Sequence, residues 1–403
     1  MGKARLETAQ AAGRIVIAQR AVARCGRGHP WVFANDILSR SPETIAPGAV
    51  VTLVSPKGEA VGLATFNPHA LIACRLLAES PKTVIDADFF ATRLKRAEAL
   101  RRRFLAEPFY RLVHGEADGL PGVVIDRFGD VFVLQLNTVG AEALLTPLLN
   151  GLREACAPRA VVLRRDAPSR RLEGLAILPP EVVGRLTQAV VGVPEGGVTF
   201  QADLLGGQKT GWYFDQRRNR SLVAGWARNA RLLDLYCHTG GFALRAAAAG
   251  ARSVLAVDTA QPALALAAET AERQGLSDRV SFQRTDARSI LRALRQAGER
   301  FDMVVADPPP FARRAKDRPA AQKAYARLTH DAAQVTAEGG LLALASCSHH
   351  VDQEGLLDAC SRGLRGAGRS ARLIHVAGAD LDHPLHPALP ESRYLHMLFF
   401  VLD

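Results

Sequence analysis

The C-terminal half of this 403-residue chain reads as a doubly wound α/β fold, and three observations carry that reading. From Val198 onward, short apolar runs alternate with Ala-rich stretches of helical length. Four of those runs have a carboxylate at or near their end: Asp234, Asp258, Asp286 and Asp307. A fifth, Leu341-Leu342-Ala343-Leu344-Ala345, stops in Ser346-Cys347-Ser348. Strand–helix alternation at this spacing specifies a largely parallel sheet, and such sheets take ligands at the carboxyl ends of their strands.

The elements follow in order. Residues 232–235 lead to a helix at 241–249, 253–258 to one at 262–274, and 280–283 to one at 289–297. Residues 301–306 run into Asp307-Pro308-Pro309-Pro310-Phe311 and then a helix at 320–337, and the fifth strand leads to a helix at 353–363. Upstream, 13–78 is a β-rich module. Its short strands at 15–17, 49–54, 60–64 and 71–76 are broken by Pro47-Gly48 and Pro56-Lys57-Gly58, too many turns for a βαβ unit. Residues 1–12 read as a loose tail. Trp31 and Phe33 lie beside Arg20, Arg24 and Arg27, and a core aromatic pair is the plain explanation.

Residues 84–194 make a second, small α+β domain, and 195–403 a third domain. An amphipathic helix at 88–104 ends in Arg101-Arg102-Arg103, where cations complement the helix dipole. Strands at 110–113, 123–127 and 131–136, a helix at 141–155 and a strand at 160–164 follow. No catalytic constellation is visible there, so this part reads as a spacer or substrate-docking domain.

The chain carries 51 Lys+Arg against 40 Asp+Glu, net +11, and only seven of the cations are lysine. Guanidinium groups pair bidentately with phosphate, which points to nucleic acid, although GC-rich codon usage also inflates arginine. The six cysteines (Cys25, Cys74, Cys156, Cys237, Cys347, Cys360) include no C-x-x-C pair, which argues against a metal site or disulfide framework and suits a reducing cytoplasm. No apolar run approaches the roughly 18 residues of a membrane helix, and no signal peptide opens the chain. A cytoplasmic protein without membrane or metal is expected.

The site assembles from spacing. Tyr236-Cys237-His238-Thr239-Gly240-Gly241-Phe242 is a strand–loop–helix turn whose glycines let a ligand approach the helix N-terminus, but it is not G-x-G-x-x-G. Asp258, 24 residues after Asp234, stands where carboxylates grip ribose hydroxyls, and Asp286 could accept from an adenine amine. A single carboxylate at a strand end is ordinarily a helix N-cap. Four on successive strands beside a Gly-Gly loop favour an adenosine-bearing cofactor without pyrophosphate, S-adenosylmethionine rather than NAD. Asp234, Tyr236, Thr239, Gly240, Gly241, Phe242, Asp258, Asp286 and Asp307 are its expected contacts.

At this point a resemblance becomes specific. The chain resembles the S-adenosylmethionine-dependent 5-methylcytosine RNA methyltransferases of the ribosomal RNA large subunit methyltransferase I type. The matching stretches are His29–Phe33, Gly115–Gly122, Ile125–Gly129, Lys209–Arg217, Thr239–Ala243, Asp307-Pro308-Pro309, Ser346-Cys347-Ser348 and Asp382-His383-Pro384, in the family's order. The resemblance implies an N-terminal PUA module, a central domain and a Rossmann-like class I methyltransferase domain, with ribosomal RNA as partner.

It also gives the thiol a role. Carbon 5 of cytosine is a poor nucleophile until a thiolate adds to carbon 6, and Cys347 resembles the family's nucleophile. A small buried hydrophobe is the usual fate of a free cysteine, and Cys237 is expected to meet it. Asp307 would bond the cytosine amino group or the transferring centre. Pro308, Pro309 and Phe311 would hold the base. Lys209, Asp215, Gln216 and Arg217 would close over the cofactor's methionine end or contact RNA phosphate, with Trp212, Tyr213 and Phe214 packing as a cap beside them. Pro310 stands where the family has lysine, and no second cysteine lies in that loop, so the base for the carbon 5 proton is unassigned. Methylation of an exocyclic amine, which needs no thiol, and a non-catalytic RNA-binding assembly factor are the rival readings. The modified nucleotide and the oligomeric state, a homodimer included, stay open.

Overall fold

Residues 11–312 and 314–403 are described by a computed structural model. The tail expected over 1–12 lies, up to residue 10, outside the described residues. The chain divides into two compact units, one of residues 1–189, 203–212 and 381–392, the other of 190–202, 213–380 and 393–403.

In the first unit, β1 (Arg14–Ile17), α1 (Gln19–Gly26), β2 (Trp31–Phe33), β3 (Ile37–Ser41), β4 (Val50–Val54), β5 (Ala60–Phe66) and β6 (Ile72–Ala78) come first. They form a six-stranded sheet in the order β2-β6-β5-β4-β1-β3, antiparallel except where β1 meets β4. Ile15, Ile17, Leu53, Phe66 and Cys74 fill its core. Trp31 and Phe33 are not a core pair. Trp31 is half-buried and its indole N–H donates to Glu116 Oε1 at 2.8 Å, while the Arg24 guanidinium lies 5.0 Å from the centre of the Phe33 ring.

Next come α2 (Ala87–Arg102), β7 (Phe109–His114), β8 (Val123–Phe128), β9 (Val131–Leu136), α3 (Val139–Ala143), α4 (Leu145–Cys156), β10 (Ala160–Arg164) and β11 (Glu181–Gly184). The five strands order as β11-β10-β9-β8-β7. Gly151 lets α4 lie close on α2, since a Cβ there would stand 2.7 Å from Phe90 Cβ. The helix expected at 141–155 is two. Pro147 has no N–H to give the carbonyl of Ala143, and a continuous helix breaks at such a position. Nor is Arg101 a dipole complement. It is buried, with bonds to both Asp118 oxygens at 2.5 and 2.7 Å and to the carbonyls of Arg111 and Asp382. Arg111 is likewise paired with buried Asp126.

The second unit opens with the hairpin β12 (Val190–Glu195) and β13 (Val198–Asp203), then α5 (Arg217–Trp226). After it come β14 (Arg231–Leu235), α6 (Gly241–Ala248), β15 (Ser253–Asp258), α7 (Gln261–Arg273), β16 (Val280–Arg284), α8 (Ala287–Gln296), β17 (Phe301–Ala306), α9 (Arg318–Ala333), β18 (Thr336–Ser346), α10 (Gln353–Gly366), β19 (Ala371–Ala377) and β20 (His396–Leu402). The sheet order is β16-β15-β14-β17-β18-β20-β19. β14 to β18 run parallel, and β20 inserts antiparallel between β18 and β19. The chain winds outward from β14 to β16 and returns at β17, so the strand order reverses between β14 and β17. Such a switch point opens a crevice at the carboxyl ends. No helix among the described residues is long and apolar enough to cross a membrane.

Candidate active site

Register sets the strand ends level. Leu235 stands opposite Val257 on one side and Ala306 on the other, and Ala306 opposite Leu344. The next residues outward are Tyr236, Asp258 and Asp307, and Cys347 follows two residues after Ala345. Four of the residues expected from the sequence thus share one edge.

The loop after β14 is bent sharply. Tyr236 (φ 63°), His238 (φ 50°) and Gly240 (φ 78°) all adopt the left-handed region. For the two non-glycines this costs about 1–3 kcal/mol each and calls for local compensation. The Cys237 N–H donates to the Val257 carbonyl at 3.0 Å, and the His238 N–H to Asp258 Oδ2 at 2.8 Å. Thr239 and Phe242 are buried, and Gly241 starts α6. Gly240→Ala is expected to cost about 1–2 kcal/mol through its φ alone. The new Cβ would also lie 3.0 Å from Leu244 Cδ1, so weaker binding of S-adenosylhomocysteine by calorimetry should accompany the lower melting temperature.

Asp234 is fully buried. Its Oδ2 accepts from the Ala243 N–H at 2.9 Å, and its Oδ1 is buried with no hydrogen-bond partner among the described residues. Burial pushes this carboxyl well above the ordinary carboxylate range, the charges of Asp307 and Asp258 adding to the effect and the Ala243 N–H opposing it. Asp258 accepts at both oxygens, from His238 and from Ala260 (2.9 Å), yet each oxygen keeps a lone pair for a hydroxyl. Asp286 is exposed and caps α8, bonded to the Ser289 N–H at 3.0 Å and hydroxyl at 2.6 Å. An adenosine-bearing cofactor fits this edge, where the partly exposed Asp258 keeps acceptor capacity for ribose hydroxyls.

Cys347 is half-buried, with Sγ 3.9 Å from the Pro308 carbonyl. Its flanking serines anchor the loops. Ser346 accepts from the Tyr325 hydroxyl at 2.9 Å, and Ser348 donates to the Ala312 carbonyl at 2.9 Å. Tyr325 lies against Phe311, ring centres 4.7 Å apart. Burial pushes the thiols of Cys74 and Cys360 up to about 12 and that of Cys156 to about 11, and raises Cys25 and Cys237 as well. Since the thiolate is the nucleophile, those five are poor candidates at neutral pH.

Asp215 and Gln216, expected to meet cofactor or RNA, are buried against protein. Asp215 accepts from the Tyr394 hydroxyl at 2.6 Å, and Gln216 Nε2 donates to Asp307 Oδ2 at 2.8 Å. Arg217 pairs with Asp380 at 3.1 Å. Lys209 is exposed and belongs to the first unit. On the loop after β17, Pro308 is buried, Pro309 exposed and Phe311 half-buried.

Sequence reading missed Tyr213, Asn219, Tyr325 and Tyr394. Tyr213 meets His238 edge-on at 5.3 Å, and burial, then the charges of Asp215, Asp307, Cys347 and Asp258, push its phenol upward. It was visible in Trp212-Tyr213-Phe214 only as an aromatic to be packed. Tyr325 and Tyr394 carry no motif, and only the fold brings them here.

A family model described as a PUA-like domain matches residues 15–79, and one described as an S-adenosylmethionine-dependent methyltransferase matches 181–373. The ribosomal RNA large subunit methyltransferase I of Klebsiella pneumoniae (strain 342) is 34% identical over 387 residues, 95% of this chain and 96% of that protein. The protein of the same name from Photobacterium profundum is 36% identical over 374 residues, 92% of this chain and 94% of its own. Among solved structures, a Streptococcus mutans protein assigned as a SAM-dependent methyltransferase superposes with TM-score 0.82 at 19% identity, covering 96% of this chain and 99% of that one. SMU.776, assigned as a methyltransferase and solved in complex with SAH, gives the same score and coverage. With the class I sheet and the strand-end site described above, these likenesses place the chain in the ribosomal RNA large subunit methyltransferase I family, as an S-adenosylmethionine-dependent methyltransferase.

Proposed function

We propose that the chain methylates carbon 5 of a cytosine in large-subunit ribosomal RNA through a covalent adduct at Cys347. The observation that carries this reading is the pairing of a half-buried thiol with the Asp307-Pro308 loop, Sγ to carbonyl 3.9 Å, on adjacent parallel strands. The Cys347 thiolate adds to carbon 6, forming a C–S bond and moving an electron pair onto carbon 5. Bound S-adenosylmethionine supplies the electrophilic methyl group that carbon 5 takes. A general base then removes the carbon 5 proton, and the C–S bond breaks to return the thiolate. Asp307 accepts from the exocyclic amine of the target cytosine, and Pro308, Pro309 and Phe311 confine the base. Asp234, Tyr236, Thr239, Gly240, Gly241, Phe242, Asp258 and Asp286 hold the cofactor.

Domains at 13–78, 84–194 and 195–403 would divide the labour, the first two docking RNA and the third doing chemistry in the cytoplasm. A target base inside folded RNA has to be extruded at a cost of a few kcal/mol. The test is trapping. RNA carrying 5-fluorocytosine at the target cannot release the carbon 5 substituent, so a denaturation-resistant protein–RNA adduct is expected with S-adenosylmethionine. Methylated product without any such adduct would sink the covalent reading.

A further inference from the structure

We infer that Gln216 is a positioning residue that holds the Asp307 carboxylate in one orientation, through a relay that begins at a backbone carbonyl. The inference rests on the reading that Asp307 acts on the target base. The Gly378 carbonyl, just past β19, can only accept a hydrogen bond. The Asn219 amide nitrogen 3.2 Å from it is therefore the end of that side chain that must face it. The same nitrogen donates to Gln216 Oε1 at 2.6 Å. With its oxygen committed there, Gln216 has only its NH₂ to present to Asp307, and Nε2 lies 2.8 Å from Oδ2. The direction of each amide follows from the one before it.

Asn219 is 0% exposed and Gln216 3%. At such depth a reversed Gln216 would set its carbonyl against a carboxylate and its NH₂ against another NH₂, and both contacts are repulsive. The segment that carries Gln216 is itself pinned. The Asp380 N–H donates to the Asp215 carbonyl at 3.0 Å, and the Tyr394 hydroxyl to Asp215 Oδ2. The cation beside it, Arg217, is engaged by Asp380. Asp307 thus receives a neutral donor from Gln216. That bond fixes the plane of the carboxylate.

Gln216→Met keeps length and bulk but removes the donor. It is expected to lower kcat about 10- to 100-fold with KM for S-adenosylmethionine little changed, as misplacement of a reacting group does. Gln216→Glu sets a second carboxylate against Asp307, which should in addition move the acid limb of the pH–rate profile upward by about one unit. The assay is methyl transfer from labelled S-adenosylmethionine to large-subunit ribosomal RNA from cells lacking this protein, with melting temperature as folding control. In an Asp307→Asn background, Gln216→Met should cost less than about twofold more, because the group it positions is gone. Equal losses in both backgrounds would assign Gln216 a general structural role and overturn the inference. So would a fully active Gln216→Met beside an impaired Asp307→Asn, with the role of Asp307 left standing. An Asp307→Asn variant as active as the parent would remove both together.

Discussion

Cys347→Ala is expected to lower kcat by at least about 10³-fold, or about 4 kcal/mol of barrier, while S-adenosylhomocysteine binding and melting temperature stay near those of the parent. The side chain is half-buried and small, and its contact to the Pro308 carbonyl is a weak one, so truncation removes little volume. On the proposed mechanism, carbon 5 of cytosine would then lack the electron pair that addition at carbon 6 supplies. Cys347→Ser should fail almost as completely, because an alcohol ionises far less readily than a thiol. Single-turnover assays on rRNA from cells lacking this protein measure the loss. Turnover retained in Cys347→Ala would return the chemistry to methylation of an amine, which needs no thiol.

Glu195→Ala should destabilise the second unit by about 3–5 kcal/mol. Arg220 bonds both oxygens of Glu195, at 2.7 and 2.6 Å, and both side chains are 4% exposed. Removing the carboxylate strands a buried guanidinium. Arg220 also donates to the Tyr213 carbonyl at 3.0 Å, so the damage should reach the loop around His238 and weaken S-adenosylhomocysteine binding.

The same pair gives a pH signature. Burial pushes the Glu195 carboxyl up, but Arg220, with Arg217 and Arg245, outweighs it and holds the group below its ordinary value of 4.5. A carboxyl depressed by folding contributes stability that is present above the unfolded value and lost as pH falls through the folded one. Denaturant unfolding followed from pH 7 down to pH 3 should therefore show parent and Glu195→Gln converging only below about pH 4.5. A constant gap through that range would rule out the pair as its source.

Several residues legible as motif turn out to serve the fold. Asp118 and Asp126 belong to stretches that carried the family resemblance, yet they neutralise Arg101 and Arg111 inside the first unit. Asp382 accepts from the Arg111 N–H at 2.9 Å and stands 2.7 Å from His383 Nδ1. Recurring patterns mark buried ion pairs as readily as chemistry, because both tolerate few substitutes. Gln216 is the opposite case: its place in Lys209–Arg217 was visible, but its partner, Asp307, lies 91 residues away.

The amino-acid sequence alone determined the parallel core, the strand-end carboxylates, the Gly-Gly turn and the thiol after the fifth parallel strand. Each is a local signal, since apolar periodicity and turn residues act over a few neighbours. Tertiary structure alone decided the antiparallel insertion of β20 beside β18, and the helical state of Arg-rich α5. Both rest on partners far along the chain: Ser346 opposite His396 in the first case, and Glu195 beneath Arg220 in the second. It also decided which carboxylates remain available to a ligand. Asp286 shares its exposed oxygens with a helix cap, Asp307 accepts from Gln216, and Asp234 keeps one buried oxygen without a partner among the described residues. Hydrogen-bond partners are set by through-space geometry, and no spacing along the chain encodes them.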